Sequence, residues 1–271
     1  MEGIDCSTKL TVSTTQALKC AGIEVVGRYL GRTLRNGLTP DEVRIIQSAG
    51  LSLFLIWELS PTKKEYFSYT KGISDAAGAI AEAIYLGAPD GIAIYFTVDY
   101  DAQCGDLGAI VDYFEGVKDG LGGKYLTGSY GPHRVMQALK VDRYFQTYAW
   151  SQGCVYEGNH IYQYSNDVML AGVAVDRDTV NSDAGLWGGN ELKLANLVLY
   201  FGDADLQVAA NLAQAFKCPV VHVANATPEL LASATNKYQV GGATAPAGVT
   251  LLAGDNRFET MKRVLQAVGE I

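Results

Sequence analysis

No stretch of the 271-residue chain reaches 18 consecutive apolar residues, so no segment reads as a membrane-spanning helix. The opening residues, MEGIDCSTKL, lack the basic stretch and apolar core of a secretory signal. The expectation is therefore a soluble protein made in the cytoplasm. Histidine is scarce: His133, His160 and His222 are scattered, with no HExxH pattern, so neither a metal site nor any cofactor is expected. Five cysteines (Cys6, Cys20, Cys104, Cys154 and Cys218) are widely spaced, odd in number and without a CxxC pair. That excludes a disulfide framework or structural zinc and reads as reduced, buried thiols. A GxSxG elbow is also lacking, and Gly122-Gly123-Lys124 has neither the spacing nor the Ser/Thr of a phosphate loop.

What is present is a chain 48% hydrophobic and 18% charged, enough apolar material for a sizeable core. The net charge of −8 is unevenly placed. From Leu192 onward six basic residues face six acidic ones, so residues 1–191 carry the whole excess. An acidic surface repels phosphate backbones and anionic lipid, so nucleic acid and membrane are excluded as partners, and an uncharged glycan fits better.

Short apolar runs rich in β-branched and aromatic residues mark eight strands: Gly3–Cys6, Glu24–Leu30, Leu53–Glu58, Ile92–Asp101, Tyr125–Gly131, Tyr144–Trp150, His160–Ser165 and Val173–Asp178. Helices fall between them. Thr39-Pro40-Asp41-Glu42 opens one that ends at Gly50, Ser74-Asp75 opens an alanine-rich one closing at Gly87, and a third covers Asp106–Leu121. The alternation predicts an α/β fold, a TIM-like (β/α)8 barrel over residues 1–187. After Trp187-Gly188-Gly189-Asn190 a linker covers 188–195, and the pattern restarts as a small α/β, Rossmann-like unit over 196–271. Tyrosine use shifts at the same point: of 16 tyrosines, only Tyr200 and Tyr238 follow the boundary.

Acidic residues recur at strand ends, where barrel active sites sit. Asp99 and Asp101 lie two apart, so on a continuing strand they share a face. Two nearby carboxylates raise each other's pKa, so one can stay protonated as an acid, as glycoside hydrolysis requires. Asp5 closes the first strand and Asp176 the eighth, and in a closed barrel these strands are neighbours. Asp178 reads as a capping residue. Aromatic rings flank the same ends, among them Tyr29, Tyr100, Tyr130, Trp150 and Tyr164, with faces and polar edges suited to sugars. Gln163 joins them. Arg28 and Glu58 are placed to hydrogen-bond hydroxyls or to pair with each other inside the barrel.

The ordered set Gly3-Ile-Asp5, Val26-Gly-Arg28-Tyr29-Leu30, Ile94-Tyr-Phe-Thr-Val-Asp99-Tyr-Asp101, Gly128-Ser-Tyr130-Gly131, Ala149-Trp150, Tyr162-Gln163-Tyr164 and Val175-Asp176 resembles a family of glycoside-hydrolase-like barrels formerly of unknown function, relatives of glycoside hydrolase family 25 muramidases. By that resemblance Asp5, Asp99 and Asp176 hold family positions, while Asp101 stands where the family has a glutamate, one methylene longer. The resemblance implies cleavage of the β-1,4 bond between N-acetylmuramic acid and N-acetylglucosamine, with Asp101 as general acid and Asp99 as partner carboxylate. Asp5 and Asp176 would position the sugar, and Arg28, Tyr29, Glu58, Tyr100, Tyr130, Trp150, Gln163 and Tyr164 would contact it. Residues Asn196–Asp205, Tyr238–Gly242 and Leu252–Thr260 are similar to type 2 cell-wall-binding repeats and to the C-terminal domains of clostridial phage endolysins. That likeness implies peptidoglycan and wall polymer as partners, homo-oligomerisation through this unit, and action on the wall after holin-type release. A non-catalytic glycan-binding barrel and a wall-anchored structural protein are the alternatives.

Overall fold

The computed structural model describes residues 1–32, 36–188 and 194–269. The chain divides into two compact units, residues 1–190 and 191–271. Residues 189–193 of the expected linker lie outside the described residues, while Leu194 already begins a strand.

In the first unit the elements follow one another as β1 (Glu2–Asp5), α1 (Val12–Cys20), β2 (Val25–Tyr29), α2 (Pro40–Ser48), β3 (Ser52–Trp57), α3 (Tyr69–Leu86), β4 (Ala93–Thr97), α4 (Leu107–Leu121), β5 (Leu126–Gly131), α5 (His133–Ala138), β6 (Arg143–Thr147), β7 (Ile161–Leu170) and β8 (Val173–Val180). Helix starts follow capping chemistry. Thr39 accepts from the Glu42 amide with Pro40 in the first turn of α2. Helix α3 is capped by Ser68, whose hydroxyl accepts from the Lys71 amide, six residues before the Ser74 expected to open it. It ends where Gly87 takes a left-handed φ of 81°.

The eight strands close into a barrel in sequence order. Strands β1 to β7 are parallel neighbours, but β8 is antiparallel to both β7 and β1, which corrects the expectation of an all-parallel (β/α)8 barrel. The reason is the connection. Ala171 and Gly172, both at positive φ, make a tight hairpin, whereas a parallel return needs a crossover of about a dozen residues or more. No helix lies between β6 and β8.

Strand alternation separates two cores. Outward residues such as Ile4, Val26, Leu53, Leu55, Trp57 and Ile94 pack against the helices. Inward residues Val25, Phe54, Ile56, Ala93, Tyr95, Phe145, Ile161 and Val180 plug the barrel, with Phe54, Tyr95 and Phe145 meeting edge to face at 5.4–5.8 Å. Burying such rings at roughly 1.5–3 kcal/mol each closes the barrel's lower half to solvent.

The second unit holds β9 (Leu194–Tyr200), α6 (Asp203–Ala215), β10 (Val220–His222), α7 (Pro228–Ala232), β11 (Ala234–Val240), β12 (Thr250–Leu252) and α8 (Arg257–Val268). Its four strands form a parallel sheet in the order β10-β9-β11-β12. Val198, Leu212, Val240 and Val264 form a core on one face, and Leu197, Leu199, Ala234 and Leu230 on the other.

No helix among the described residues is long and apolar enough to cross a membrane. All five cysteines are free, but only Cys6 is buried; Cys20, Cys104 and Cys154 are exposed, contrary to the expectation of interior thiols.

Candidate active site

Above the aromatic plug the barrel interior turns polar. On β1 the inward parity is Gly3 and Asp5, and on β2 it is Val25, Gly27 and Tyr29. Gly27 stands opposite Asp5 in the register, and a Cβ there would lie 2.2 Å from the Phe54 ring and 2.7 Å from the Asp5 Cβ. Only glycine lets the carboxyl and the ring share that level. The parity Phe54, Ile56 on β3 continues to Glu58 just past its end, and Tyr95, Thr97 on β4 continues to Asp99 two residues past its end. Strands β5, β6, β7 and β8 add Tyr130, Thr147, Gln163 and Asp176.

Gln163 organises this layer. Its Nε2 donates to Asp5 Oδ2 at 2.9 Å and to Asp176 Oδ2 at 3.1 Å. Its Oε1 accepts from Tyr130 at 3.0 Å and from Thr147 at 2.8 Å, which fixes the orientation of the amide. Tyr29 donates to Asp5 Oδ1 at 3.2 Å. Register irregularities on β7 between Gln163 and Val168 bend the strand, and the Asp167 amide there donates to Asp176 Oδ1 at 2.8 Å. Asp5 and Asp176, directly opposed across β1 and β8, thus share one amide.

The electrostatics follow from crowding carboxyl groups in a closed space. Burial first, and then the Asp176 charge, raise Asp5 to about 7 despite the hydrogen bonds from Gln163 and Tyr29. Burial, then Asp99 and Asp5, lift Glu58 to about 7. Burial raises Asp99, and burial followed by the Asp167 and Asp99 charges raises Asp176. Tyr29 and Tyr130 are pushed well above 10, burial being the main cause, and remain hydrogen-bond donors. No basic side chain pairs with Asp5, Glu58, Asp99 or Asp176 among the described residues. A cleft of about 150 Å³, lined by Asp5, Cys6, Ser7, Tyr29, Asp167 and Asp176, opens beside the cluster. No three His, Cys, Asp or Glu side chains among the described residues are arranged to hold a metal ion.

Of the residues singled out from sequence, Asp5, Tyr29, Glu58, Asp99, Tyr130, Gln163 and Asp176 come together at this mouth. Others lie elsewhere. Asp101 does not share the Asp99 face, because β4 ends at Thr97 and the chain turns, the Ala102 amide donating to the Tyr100 carbonyl at 2.8 Å. The Asp101 side chain is exposed, with Arg134 Nη1 3.9 Å from its Oδ1. Tyr100 stacks on Phe67 in the helical layer, ring centroids 6.1 Å apart. Arg28 points out of the barrel, fully buried, and pairs with Glu42 of α2 at 2.9 Å rather than with Glu58. Tyr164 lies on the outer wall, its hydroxyl on Glu2 beside Arg177. Trp150 is exposed in the loop after β6. Asp178 is no cap. It is fully buried inside the barrel on β8, and neither carboxyl oxygen has a hydrogen-bond partner. Burial and repulsion from Asp5, Asp176 and Glu2 raise its pKa well above the ordinary range.

In the second unit, Gly241 and Gly242, the Gly254–Arg257 segment, Thr260 and Arg263 line a crevice of about 560 Å³ at the carboxyl ends of β11 and β12. Asn256 caps α8, accepting from the Phe258 and Glu259 amides.

Comparison with known proteins agrees with this architecture. Over 145 residues, 49% of the chain, the sequence is 36% identical to FadG of Bacillus subtilis (strain 168), and over 147 residues, 48% of the chain, 33% identical to YbfG of the same strain. The matched segments span only 25% and 20% of those longer relatives. The crystal structure of the Mycobacterium tuberculosis Tat-secreted protein Rv2525c in complex with L-tartrate superposes with a TM-score of 0.59 at 19% identity, covering 69% of this chain and 98% of that one, which shows a shared fold. The family model described as "Rv2525c-like, glycoside hydrolase-like domain" matches residues 16–180, and the chain belongs to that family.

Proposed function

We propose that the barrel hydrolyses the glycan strand of peptidoglycan in a Gram-positive wall, at the β-1,4 bond between N-acetylmuramic acid and N-acetylglucosamine. The observation that carries this reading is the set of four carboxyl groups, on β1, just past β3 and β4, and on β8, held at one mouth with no ion-pair partner among the described residues. Glycoside hydrolysis needs one carboxyl that still holds a proton near neutral pH and another that is ionised, and crowding with burial supplies that combination. Asp99 serves as the partner carboxylate that stabilises positive charge at the anomeric carbon. Asp5 and Asp176, locked by Gln163, position the sugar, and Tyr29 and Tyr130 offer ring faces and donors to its hydroxyls.

The second unit is the wall-binding module in this reading, its crevice of glycine-rich loops with Arg257 and Arg263 taking a wall polymer. The sequence resemblance to clostridial phage endolysins supports that layout, with synthesis in the host cytoplasm, release by a holin and self-association through residues 196–271. The test is turbidity loss of purified clostridial walls. Wild type clears them, and Asp99→Asn does not. Equal behaviour of the two makes the barrel a glycan binder instead, the reading favoured by the exposed position of Asp101 where the family has a glutamate.

A further inference from the structure

The proposed reaction needs a proton donor, and Asp101, which the family resemblance offers, stands outside the cluster. We infer that Glu58, at the end of β3, is the general acid of this site. The inference rests on the hydrolytic reading above and adds to it the residue that protonates the leaving oxygen.

Four features place Glu58 there. It continues the inward parity of Phe54 and Ile56, whose side chains lie in the barrel plug. Trp57 pairs with Phe96 in the β3–β4 register, so Glu58 falls beside Thr97, two residues below Asp99 on the neighbouring strand. The loop leaving β3 is tied to the same point, the Asp99 amide donating to the Pro61 carbonyl at 3.0 Å, which fixes the two carboxyl-bearing segments relative to each other. Glu58 is half-buried, so its carboxyl is accessible yet shielded. Asp101, in contrast, is exposed and stands 3.9 Å from Arg134, outside the cluster. The cluster thus regains from β3 the glutamate that is missing from β4. The elevation of Glu58 to about 7, caused by burial and by Asp99 and Asp5, agrees with a group that holds its proton at working pH.

In the step, the glycosidic C–O bond breaks and its electron pair goes to the leaving oxygen, which takes the Glu58 proton. Water adds to the anomeric carbon, whose positive charge the Asp99 carboxylate stabilises. The proton that water loses returns to the carboxyl pair, so the acid form is restored and no oxidant or other co-reactant is consumed.

The discriminating experiment compares two substrates: peptidoglycan strands, whose sugar leaving group needs a proton, and a synthetic strand fragment carrying a dinitrophenyl group, which leaves without one. Each variant is first checked for wild-type circular dichroism. Glu58→Gln loses about 10²–10⁴-fold in kcat/KM on strands. On the dinitrophenyl substrate it stays within about tenfold of wild type and loses the fall in rate that wild type shows on strands above pH about 7. Glu58→Asp keeps that alkaline fall with reduced rate, and is the working variant if the glutamine form misfolds. Asp99→Asn loses both substrates, and Asp101→Asn neither. The assignment is overturned if Glu58→Gln cuts strands like wild type, if it loses both substrates together, or if Asp101→Asn shows the leaving-group rescue. A wild-type protein that cuts neither substrate removes the hydrolytic reading and the acid role with it, an outcome distinct from the others because it precedes any variant.

Discussion

Two buried polar regions lie on opposite sides of the same strands. Outside the barrel, Arg28 and Glu42 are both fully buried and matched charge for charge, with the guanidinium also donating to the Cys6 and Asn36 carbonyls. Inside, Asp5, Glu58, Asp99, Asp176 and Asp178 are crowded together with no cation on their face among the described residues, Arg28 acting on Asp5 from behind. Matched burial of that kind fastens α2 to the β1–β2 wall. Unmatched burial costs stability and leaves protons where the ordinary carboxylate range would remove them, which is the condition for acid–base work at neutral pH.

The contrast can be broken from either side. The largest effect falls on the interior: Asp99→Asn, like Glu58→Gln, should cost about 10²–10⁴-fold in strand cleavage while leaving the melting temperature at or above that of wild type, since a repelling charge is removed. Next, Arg28→Ala should cost about 3–5 kcal/mol in chemical denaturation, because it strands the Glu42 carboxylate in the core.

A smaller gain follows from Asp178→Asn. The folded Asp178 carboxyl keeps a proton that the unfolded chain releases above pH about 4, so wild-type stability falls as pH rises from there toward the raised value. Asparagine has no such dependence, so the variant should gain on wild type as pH rises, by roughly 1 kcal/mol or 2–4 °C at neutral pH in thermal melts. The smallest effect belongs to Asp101→Asn, an exposed residue facing Arg134 across 3.9 Å, which should change strand cleavage less than about threefold and stability by under about 0.5 kcal/mol. A large activity loss there would return the acid role to β4.

The strand–helix alternation and the convergence of Asp5, Asp99 and Asp176 were legible because apolar runs and terminal acids leave a plain pattern. Parity was the underused signal. Neighbours on a strand face opposite ways, so Arg28 cannot accompany Tyr29, nor Tyr164 accompany Gln163, and the phase Phe54, Ile56, Glu58 already aims the glutamate inward. The antiparallel β8 was hidden because its partner β7 runs to Leu170, five residues past its expected end, leaving only Ala171 and Gly172 for the return. Asp101 was misplaced by extending a period of two beyond Thr97, through a turn at Tyr100–Ala102 that no glycine or proline marks. The unpartnered burial of Asp178 depends on which strands close the barrel, a non-local fact that its local sequence does not carry.

The central claim, hydrolysis of the glycan strand by an interior of unmatched carboxyls, is tested most directly by mass spectrometry of purified peptidoglycan after digestion. New reducing-end N-acetylmuramic acid is the predicted product, and it should be absent with Asp99→Asn. Reducing-end N-acetylglucosamine, released stem peptides, or identical products from wild type and variant would contradict the account.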